Sequence, residues 1–156
     1  QRLLHHAGVP LEATALQARL EERHNNVAFV PQDEVESGID IGLGSCAVEV
    51  AVERHVGTIK ESWGVDGLVR IQTGKDLTGL RTVIGTGGLF SHNPGAARVL
   101  NAALMRDDAP FSLKPRRADF YIDRSYVLYG VGLLGTHNPD AALRLARRHL
   151  VAAPVN

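Results

Sequence analysis

The amino-acid sequence predicts an α/β fold in which a short sheet is flanked by helices. Two short segments, residues 82–84 and 119–122, are rich in the β-branched and aromatic residues that favour buried strands. Helical patterns follow them at residues 93–105 and 125–134. Strands that alternate with helices are typical of an α/β domain. We therefore treat the 156 residues as a single domain, with residues 1–57 mainly helical.

Two helices are predicted before the first strand. Residues 10–24 start at Pro10 and place apolar residues at intervals of three and four opposite a charged face, so we expect an amphipathic helix. A longer helix covers residues 33–57, because Asp33 can cap its first turn and Gly57 can end it.

Residues 39–45 superficially resemble an Asp-x-Gly strand and turn of the kind that grips phosphate groups. Their apolar residues instead recur at intervals of three and four and continue the pattern of the long helix. We therefore interpret them as helical, in a helix weakened at Gly42 and Gly44.

A β-hairpin is predicted between the long helix and the first buried strand. Residues 58–63 and 68–73 alternate polar with apolar residues and flank a turn at residues 64–67 that begins and ends with glycine. A loop with a bulge explains the pattern equally well. A polar turn at residues 74–79 then leads into the strand.

Two later helices share the same predicted start, a polar cap followed by proline. Asn93 and Pro94 open the helix at 93–105, and Asn138 and Pro139 open a last helix that runs to about residue 151. The preference for a polar cap followed by proline at helix starts explains this repeated pattern, so a duplicated domain is not needed to explain it.

The helix at 125–134 has a different start and an unusual composition. Asp123 directly follows the second strand and is expected to cap the helix. Gly130 and Gly132 weaken a helix by roughly 1 kcal/mol each relative to alanine, so we expect them to allow close packing on a neighbour.

The formal net charge of the chain is zero, so it has no overall electrostatic field that would attract a highly charged partner. The chain has 17 basic and 17 acidic residues, so we expect neither nucleic acid nor a membrane surface as a partner. Residues 1–40 carry three Arg against seven Asp or Glu, and residues 113–156 carry seven Lys or Arg against three Asp. Docking surfaces and ordinary solvated faces both explain this asymmetry.

The single cysteine, Cys46, indicates a reducing environment. No internal disulfide can form, and the apolar neighbours of Cys46 favour a buried thiol. No apolar run approaches the roughly 20 residues of a membrane helix, and no signal peptide pattern is present, so we expect a cytoplasmic protein. Because the chain starts at Gln1 rather than at methionine, we expect it to be part of a longer protein.

Several common catalytic patterns are missing from the sequence. The seven histidines are scattered, and none forms the His-x-x-x-His pair that places two metal ligands on one helix face. The Gly-x-Ser-x-Gly pattern of a serine nucleophile does not occur either. We therefore predict no metal site and assign no catalytic residue.

The remaining candidate site is the glycine turn after the first buried strand. Its spacing differs from both the Walker A loop and the dinucleotide fingerprint, and no helix is expected to start at once. A plain tight turn and a ligand loop both remain open. If a nucleotide binds, its contacts are expected to be Gly85, Thr86, Gly87, Gly88, Glu53, Lys75 and Asp76.

These candidates have ordinary structural explanations too. Glu53 stands with Arg54 and His55 at a helix end, where cations are favourable near the C-terminal dipole. Lys75 and Asp76 are charged residues of a turn, which are often only solvated.

Four segments, taken in order, carry a family resemblance. They are residues 47–57 with the end Arg54-His55-Val56-Gly57-Thr58, then Gly74-Lys75-Asp76-Leu77-Thr78, then Val83-Ile84-Gly85-Thr86-Gly87-Gly88, and then Tyr121-Ile122-Asp123 before a glycine-bearing helix and a Pro-Asp-Ala-Ala-Leu helix. In this order they resemble the C-terminal part of the MutL family, the glutamate mutase (methylaspartate mutase) accessory proteins, over roughly residues 27–150. This family is unrelated to the mismatch-repair protein of the same name.

The resemblance implies an actin-like (ribonuclease H-like) ATPase lobe and a nucleotide-binding role. Residues 84–88 would match the adenosine motif of the second lobe, and residues 125–134 the small-residue helix beside it. ATP or ADP with Mg²⁺ would be the cofactor, and subunits of an adenosylcobalamin-dependent mutase would be the partners. The family's two phosphate motifs are absent here, so we do not expect this chain to hydrolyse ATP unaided.

The resemblance leaves two alternative functions and two further properties open. A small-molecule kinase of the same superfamily is one alternative function, and a protein-interaction module without a ligand is another. ATP hydrolysis by the complete protein and homo-oligomerisation are also undecided.

Overall fold

A computed structural model describes residues 2–8 and 11–153 of the chain and confirms an α/β fold with short sheets flanked by helices. The helices, in chain order, are α1 (Arg2–Ala7), α2 (Ala13–Asn25), α3 (Glu34–His55), α4 (Gly88–His92), a 3₁₀ helix (Ala96–Ala103), α5 (Leu128–Gly135) and α6 (Pro139–His149). The strands are β1 (Thr58–Gly64), β2 (Gly67–Thr73), β3 (Thr82–Gly85), β4 (Asp119–Asp123) and β5 (Leu150–Ala152).

The central sheet has the order β3-β4-β5. β3 and β4 are parallel, with Val83 opposite Phe120, and residues 86–118 form the crossover that a parallel pair needs. β5 runs antiparallel to β4, with Val151 opposite Ile122. β5 was not predicted, and the last helix was extended over it, because a three-residue strand directly after α6 carries too little pattern to be seen.

The main hydrophobic core lies between this sheet, α3, α4 and the 3₁₀ helix. It consists of Ile41, Phe90, Ala96, Val99, Leu100, Phe120 and Ile122. The core therefore holds the carboxyl ends of β3 and β4 against the middle of α3.

The predicted hairpin is confirmed as β1 and β2, each one residue longer than expected. The two strands are antiparallel, with Trp63 opposite Leu68. Most residues on both faces are exposed, and Trp63 is 81% exposed. The ribbon joins the rest of the structure near its base, where the Ile59 amide donates to the Phe111 carbonyl over 2.9 Å.

The long helix α3 is confirmed, including its start. The Asp33 carboxylate accepts a hydrogen bond from the Glu36 amide over 2.8 Å. A Cβ at Gly44 would lie 2.6 Å from Leu89 Cδ2, so this glycine lets α4 pack closely on α3. α1 lies in the region predicted to be mainly helical, although no individual helix was placed there, and it packs on α3 near Gly42.

The first predicted helix is present as α2, although it starts at Ala13. Its predicted start at Pro10 lies outside the described residues. None of its residues is fully buried, and charged groups attach it to α3. Arg23 is central here, because it forms ion pairs with Glu36 and Asp40 over 2.7 Å each.

The prediction of one helix over residues 93–105 is wrong. An α-helix begins at once after the glycine turn, at Gly88, and Asn93 ends it instead of capping a new one. The Asn93 side chain accepts from the Gly95 amide and donates to the Ser37 carbonyl of α3. Pro94 lies in a turn, and the next helix is a 3₁₀ helix that starts at Ala96. Asn93, which was predicted to cap a helix, therefore makes a tertiary contact with α3 instead.

The helix after β4 starts at Leu128, three residues later than predicted. A Cβ at Gly130 or Gly132 would meet nothing within 4 Å, so the expected close packing is wrong for the described structure. The last helix is confirmed, with the Asn138 side chain accepting from the Ala141 amide over 3.0 Å. Cys46 is half-buried rather than buried.

Membrane-spanning helices and clustered metal ligands are both absent from the described part of the chain. No helix in it is long and apolar enough to cross a membrane. Over the same residues, no group of three or more His, Cys, Asp or Glu side chains is placed to hold a metal ion.

Candidate functional site

The glycine turn lies at the carboxyl end of β3, where open α/β sheets commonly bind ligands. The fold itself requires glycine at positions 85 and 87. A Cβ at Gly85 would lie 2.6 Å from the Phe90 ring, and Gly87 has φ +112°. Gly88 has neither constraint, because a Cβ there would meet nothing within 4 Å and its φ is not positive. Bare backbone at Gly88 is therefore not required by the fold.

Asp123, at the carboxyl end of the neighbouring strand β4, fixes the turn from below. Its carboxylate is fully buried and accepts from the Thr86 hydroxyl over 3.0 Å. It also accepts from the amides of Leu128 and Val127, at the start of α5. Burial raises the pKa of Asp123, but these hydrogen bonds outweigh it and leave the pKa below its usual value of 3.8. An ionised carboxylate thus connects the turn to α5.

Gly88 lines a cavity of about 720 Å³ between α3, α4 and the connector after α2. Its lining is Val27, Ala28, Phe29, Val30, Pro31, Ser37, Asp40, Leu43, Gly44, Ala47, Gly88, Leu89, His92 and Asn93. Most of these residues are apolar, and a few polar groups stand among them. Size and lining are those of a small-molecule site. We call it the Gly88 cavity.

Asp40 is the acidic group of the Gly88 cavity. Its Oδ1 accepts from Arg23 Nε over 2.7 Å, and the same guanidinium lies 4.5 Å from the centre of the Phe29 ring. Among the described residues, no hydrogen bond reaches its second oxygen, Oδ2. The carboxylate is therefore held in place by Arg23 and keeps an oxygen that can accept a hydrogen bond from a ligand hydroxyl.

A smaller cavity of about 470 Å³ lies on the other side of the turn, around Arg124, Tyr126 and Tyr129. The two tyrosine rings are 5.6 Å apart and both are exposed. Ser91 lines this cavity and donates to the Gly87 carbonyl over 3.2 Å. We call it the tyrosine cavity.

The structure places the predicted site residues in two separate locations. Gly85, Thr86, Gly87 and Gly88 form the turn, as expected. Glu53 lies on α3 nine residues beyond Gly44, which is about 13 Å along the helix axis. It lines a different cavity, together with Lys114.

Lys75 and Asp76 lie near the same end of α3 as Glu53. Lys75 pairs with Val56, and its Nζ is 3.4 Å from His55 Nε2. Asp76 accepts from both the amide and the hydroxyl of Thr78, which lowers the pKa of Asp76. The part of α3 that lies opposite the turn is therefore residues 40–47 and not its C-terminal end.

Sequence reasoning missed two residues that the structure makes prominent. Asp40 was part of the segment at 39–45, which was interpreted only as helix; its position one turn before Gly44 could have placed it opposite the turn. Buried Lys114 carries no such local signal, since it lies in a polar loop between two prolines.

A family model and a similar protein both identify the same family for this chain. A family model described as MutL protein matches residues 1–150. Protein MutL of Clostridium tetanomorphum is 35% identical over 136 residues, which cover 87% of this chain and 29% of that protein. The chain thus spans less than a third of the length of this relative. No solved structure matches it significantly. The chain belongs to the MutL protein family.

Proposed function

We propose that this chain supplies the adenosine side of a nucleotide site in an ATP-dependent accessory factor for an adenosylcobalamin-dependent mutase such as glutamate mutase. Membership of the MutL family supports the accessory role. The observation that carries the nucleotide part is Gly88, whose bare backbone faces an apolar cavity although the fold does not need glycine there.

The Gly88 cavity suits a nucleoside better than a charged group. Leu43, Gly44 and Ala47 of α3 offer a flat apolar wall for a base, and Gly88 leaves room for the base to approach the turn. Asp40 Oδ2 accepts from a ribose hydroxyl in this arrangement. We therefore assign the ribose contact to Asp40, and Glu53, which the sequence suggested as a nucleotide contact, takes no part in it. Lys75 and Asp76 take no part in this half of the site.

The phosphates and Mg²⁺ of ATP or ADP are bound by other parts of the complete protein in this proposal. The sequence offers no phosphate loop, so the chain contributes nucleotide recognition rather than catalysis. Nucleotide binding in the complete protein would then close two lobes and change how the accessory factor holds the mutase.

An NMR titration of the chain with adenosine, ADP and ATP tests the proposal. We expect amide shifts at Gly88 and Leu89 and along residues 40–47, because these line the cavity. Adenosine should produce nearly the same pattern as ATP, since the phosphates meet no group of this half-site. Shifts confined to Tyr126 and Tyr129 would move the site to the tyrosine cavity. A folded protein with no shifts at saturating adenosine contradicts the proposal.

The second candidate, an interaction module without a ligand, is favoured by the exposed hairpin. Trp63, Val65 and Leu68 form an apolar tip on a ribbon that has no packed face. A pull-down of mutase subunits with and without ATP separates the two functions. Binding that ignores nucleotide and disappears in Trp63→Ser supports the interaction module.

A further inference from the structure

A second cavity, of about 610 Å³, lies at the other end of α3 and shares no lining residue with the Gly88 cavity. It is bounded by α1, the C-terminal half of α3, the base of the hairpin and the loop before β4. Its charged and polar lining comprises His5, His6, Glu49, Glu53, Thr58, Arg106, Asp108, Ser112 and Lys114. We call it the Lys114 cavity.

Lys114 is held rigidly in the wall of this cavity. The amide of Leu113, the preceding residue, donates to the Gly57 carbonyl over 3.0 Å, and the Leu113 carbonyl accepts from the Leu77 amide over 2.9 Å. The carbonyl of Pro115, the following residue, accepts from the Met105 amide over 2.8 Å. Backbone hydrogen bonds on both sides of Lys114 therefore fix where its side chain starts.

The side chain of Lys114 is mostly buried, and its ammonium group lines the cavity. The residue is 3% exposed, and the acidic oxygen within 4.0 Å of Nζ among the described residues is Glu53 Oε1, at 3.6 Å, too far for a hydrogen bond. No hydrogen bond from this ammonium to any described residue is present. Most of the side chain is out of water, so a group in the cavity that accepts a hydrogen bond is favourable for this ammonium. An anionic group bound in the cavity would complete its coordination.

The opposite wall of the cavity is acidic. Glu49 is 5% exposed, its Oε2 lies 3.0 Å from His6 Nε2, and its Oε1 lies 3.6 Å from Arg106 Nη1. At the rim, Arg106 is occupied by Asp108, which its guanidinium binds through two hydrogen bonds of 3.0 Å. Lys114 is thus the cation of the interior, while Glu49 and Glu53 supply negative charge around it.

A cavity with a positively charged group on one side and negatively charged groups on the other discriminates among small charged molecules. A simple anion gains from Lys114 but is repelled by Glu49 and Glu53, and a simple cation meets the reverse. A molecule with both charges satisfies both walls. Hydroxyls of Thr58 and Ser112 add neutral hydrogen-bonding groups.

We propose that the Lys114 cavity binds a small zwitterionic amino acid, with its carboxylate on the Lys114 ammonium and its own ammonium toward Glu49 and Glu53. This site is separate from the proposed nucleotide site and depends on none of its residues. The chain would therefore bind two small molecules, at opposite halves of the same helix.

Three probes with a carbon skeleton of the same length test the proposal by NMR: β-alanine carries both charges, propionate only the negative one and propylamine only the positive one. We expect β-alanine to shift the amides of Ser112, Leu113 and Lys114, with at least about tenfold weaker binding of the other two. Equal binding of propionate and β-alanine would overturn the zwitterion assignment. No shift with any probe would overturn the site.

Substitution of Lys114 separates a binding role from a structural one. Lys114→Met keeps a long buried side chain and removes the charge, and Lys60→Met is the matched change on exposed β1. We expect Lys114→Met to weaken β-alanine binding by about tenfold or more and to leave the melting temperature unchanged or higher, because the ammonium makes no hydrogen bond with a described residue and methionine keeps the apolar packing of the side chain. Lys60→Met should change neither quantity.

A lower melting temperature of Lys114→Met with β-alanine binding intact would show that Lys114 serves the fold, and would overturn the proposal. If Lys114→Met does not fold, Glu49→Gln supplies the test from the other wall. It should weaken β-alanine binding while propionate binding becomes stronger. Unchanged selectivity between these two probes in Glu49→Gln would also overturn the proposal.

Discussion

The two strand pairs of this chain are built in opposite ways. β3 and β4 are parallel, pack on one face against α4 and the 3₁₀ helix, and end near the buried carboxylate of Asp123. β1 and β2 form an antiparallel ribbon with most residues on both faces exposed to solvent. The first pair therefore provides the stability that positions the glycine turn. The ribbon contributes little to that stability, so its apolar residues are available for contact.

The largest expected difference between the pairs concerns side-chain truncation. Ile122→Ala in β4 should lower the free energy of unfolding by about 3 kcal/mol, because Ile122 is 1% exposed in the core. Val69→Ala in β2, where the side chain is 43% exposed, should change it by less than about 0.5 kcal/mol. Urea denaturation followed by circular dichroism measures both. Equal losses would remove the distinction between the two pairs.

Asp123 is expected to have the next largest effect. Asp123→Asn keeps the shape but turns one acceptor oxygen into a donor that faces the backbone amide of either Leu128 or Val127, so we expect a loss of about 2 kcal/mol. Thr86→Val removes only the hydroxyl contact and should cost less, about 1 kcal/mol. The same urea denaturation measures both variants, and a larger loss in Thr86→Val than in Asp123→Asn would contradict the central place of the carboxylate.

The same carboxylate predicts an acid-dependent component of stability. The folded pKa of Asp123 lies below the usual value of 3.8, so its contribution is present above 3.8 and is lost as the pH falls through the folded pKa. Wild type should therefore lose more stability than Asp123→Asn when the pH is lowered below 3.8. Urea denaturation across that range measures the difference. Parallel curves would show that Asp123 is not the group responsible.

The smallest expected effect is that of the cross-strand ion pair on the ribbon. Arg70 Nε lies 3.0 Å from Glu61 Oε1, and the Arg70 side chain is 70% exposed. A double-mutant cycle of Arg70→Ala and Glu61→Ala should give a coupling energy below about 0.5 kcal/mol. A coupling above about 1 kcal/mol would show that the ribbon is more ordered than its exposure indicates.

Local chemistry made several elements predictable from the sequence. The Asp33 cap and regular apolar spacing identified α3, the glycine-bounded turn identified the hairpin, and Asn138 with Pro139 identified α6. Each signal acts within a few residues of chain. The Asn93 signal failed because its side chain reaches the Ser37 carbonyl on another helix, a contact that no local pattern contains.

The candidate sites were only partly predictable for the same reason. The glycine turn is a local pattern, so its position after β3 was identified. Its opposing wall depends on how α3 crosses α4, which Gly44 permits by its lack of a side chain. The burial of Lys114 depends on backbone pairing of its loop with Gly57 and Leu77, both distant in sequence.

Nucleotide binding at the Gly88 cavity is the central claim, and matched glycine substitutions test it most directly. A methyl group added at Gly88 or at Gly79 would meet nothing within 4 Å, and neither residue has a positive φ, so alanine fits at both positions without strain. Adenosine affinity should be measured by NMR for Gly88→Ala, Gly79→Ala and wild type. We expect Gly88→Ala to bind at least about tenfold more weakly at unchanged stability, and Gly79→Ala to match wild type. Wild-type affinity in Gly88→Ala would contradict the claim.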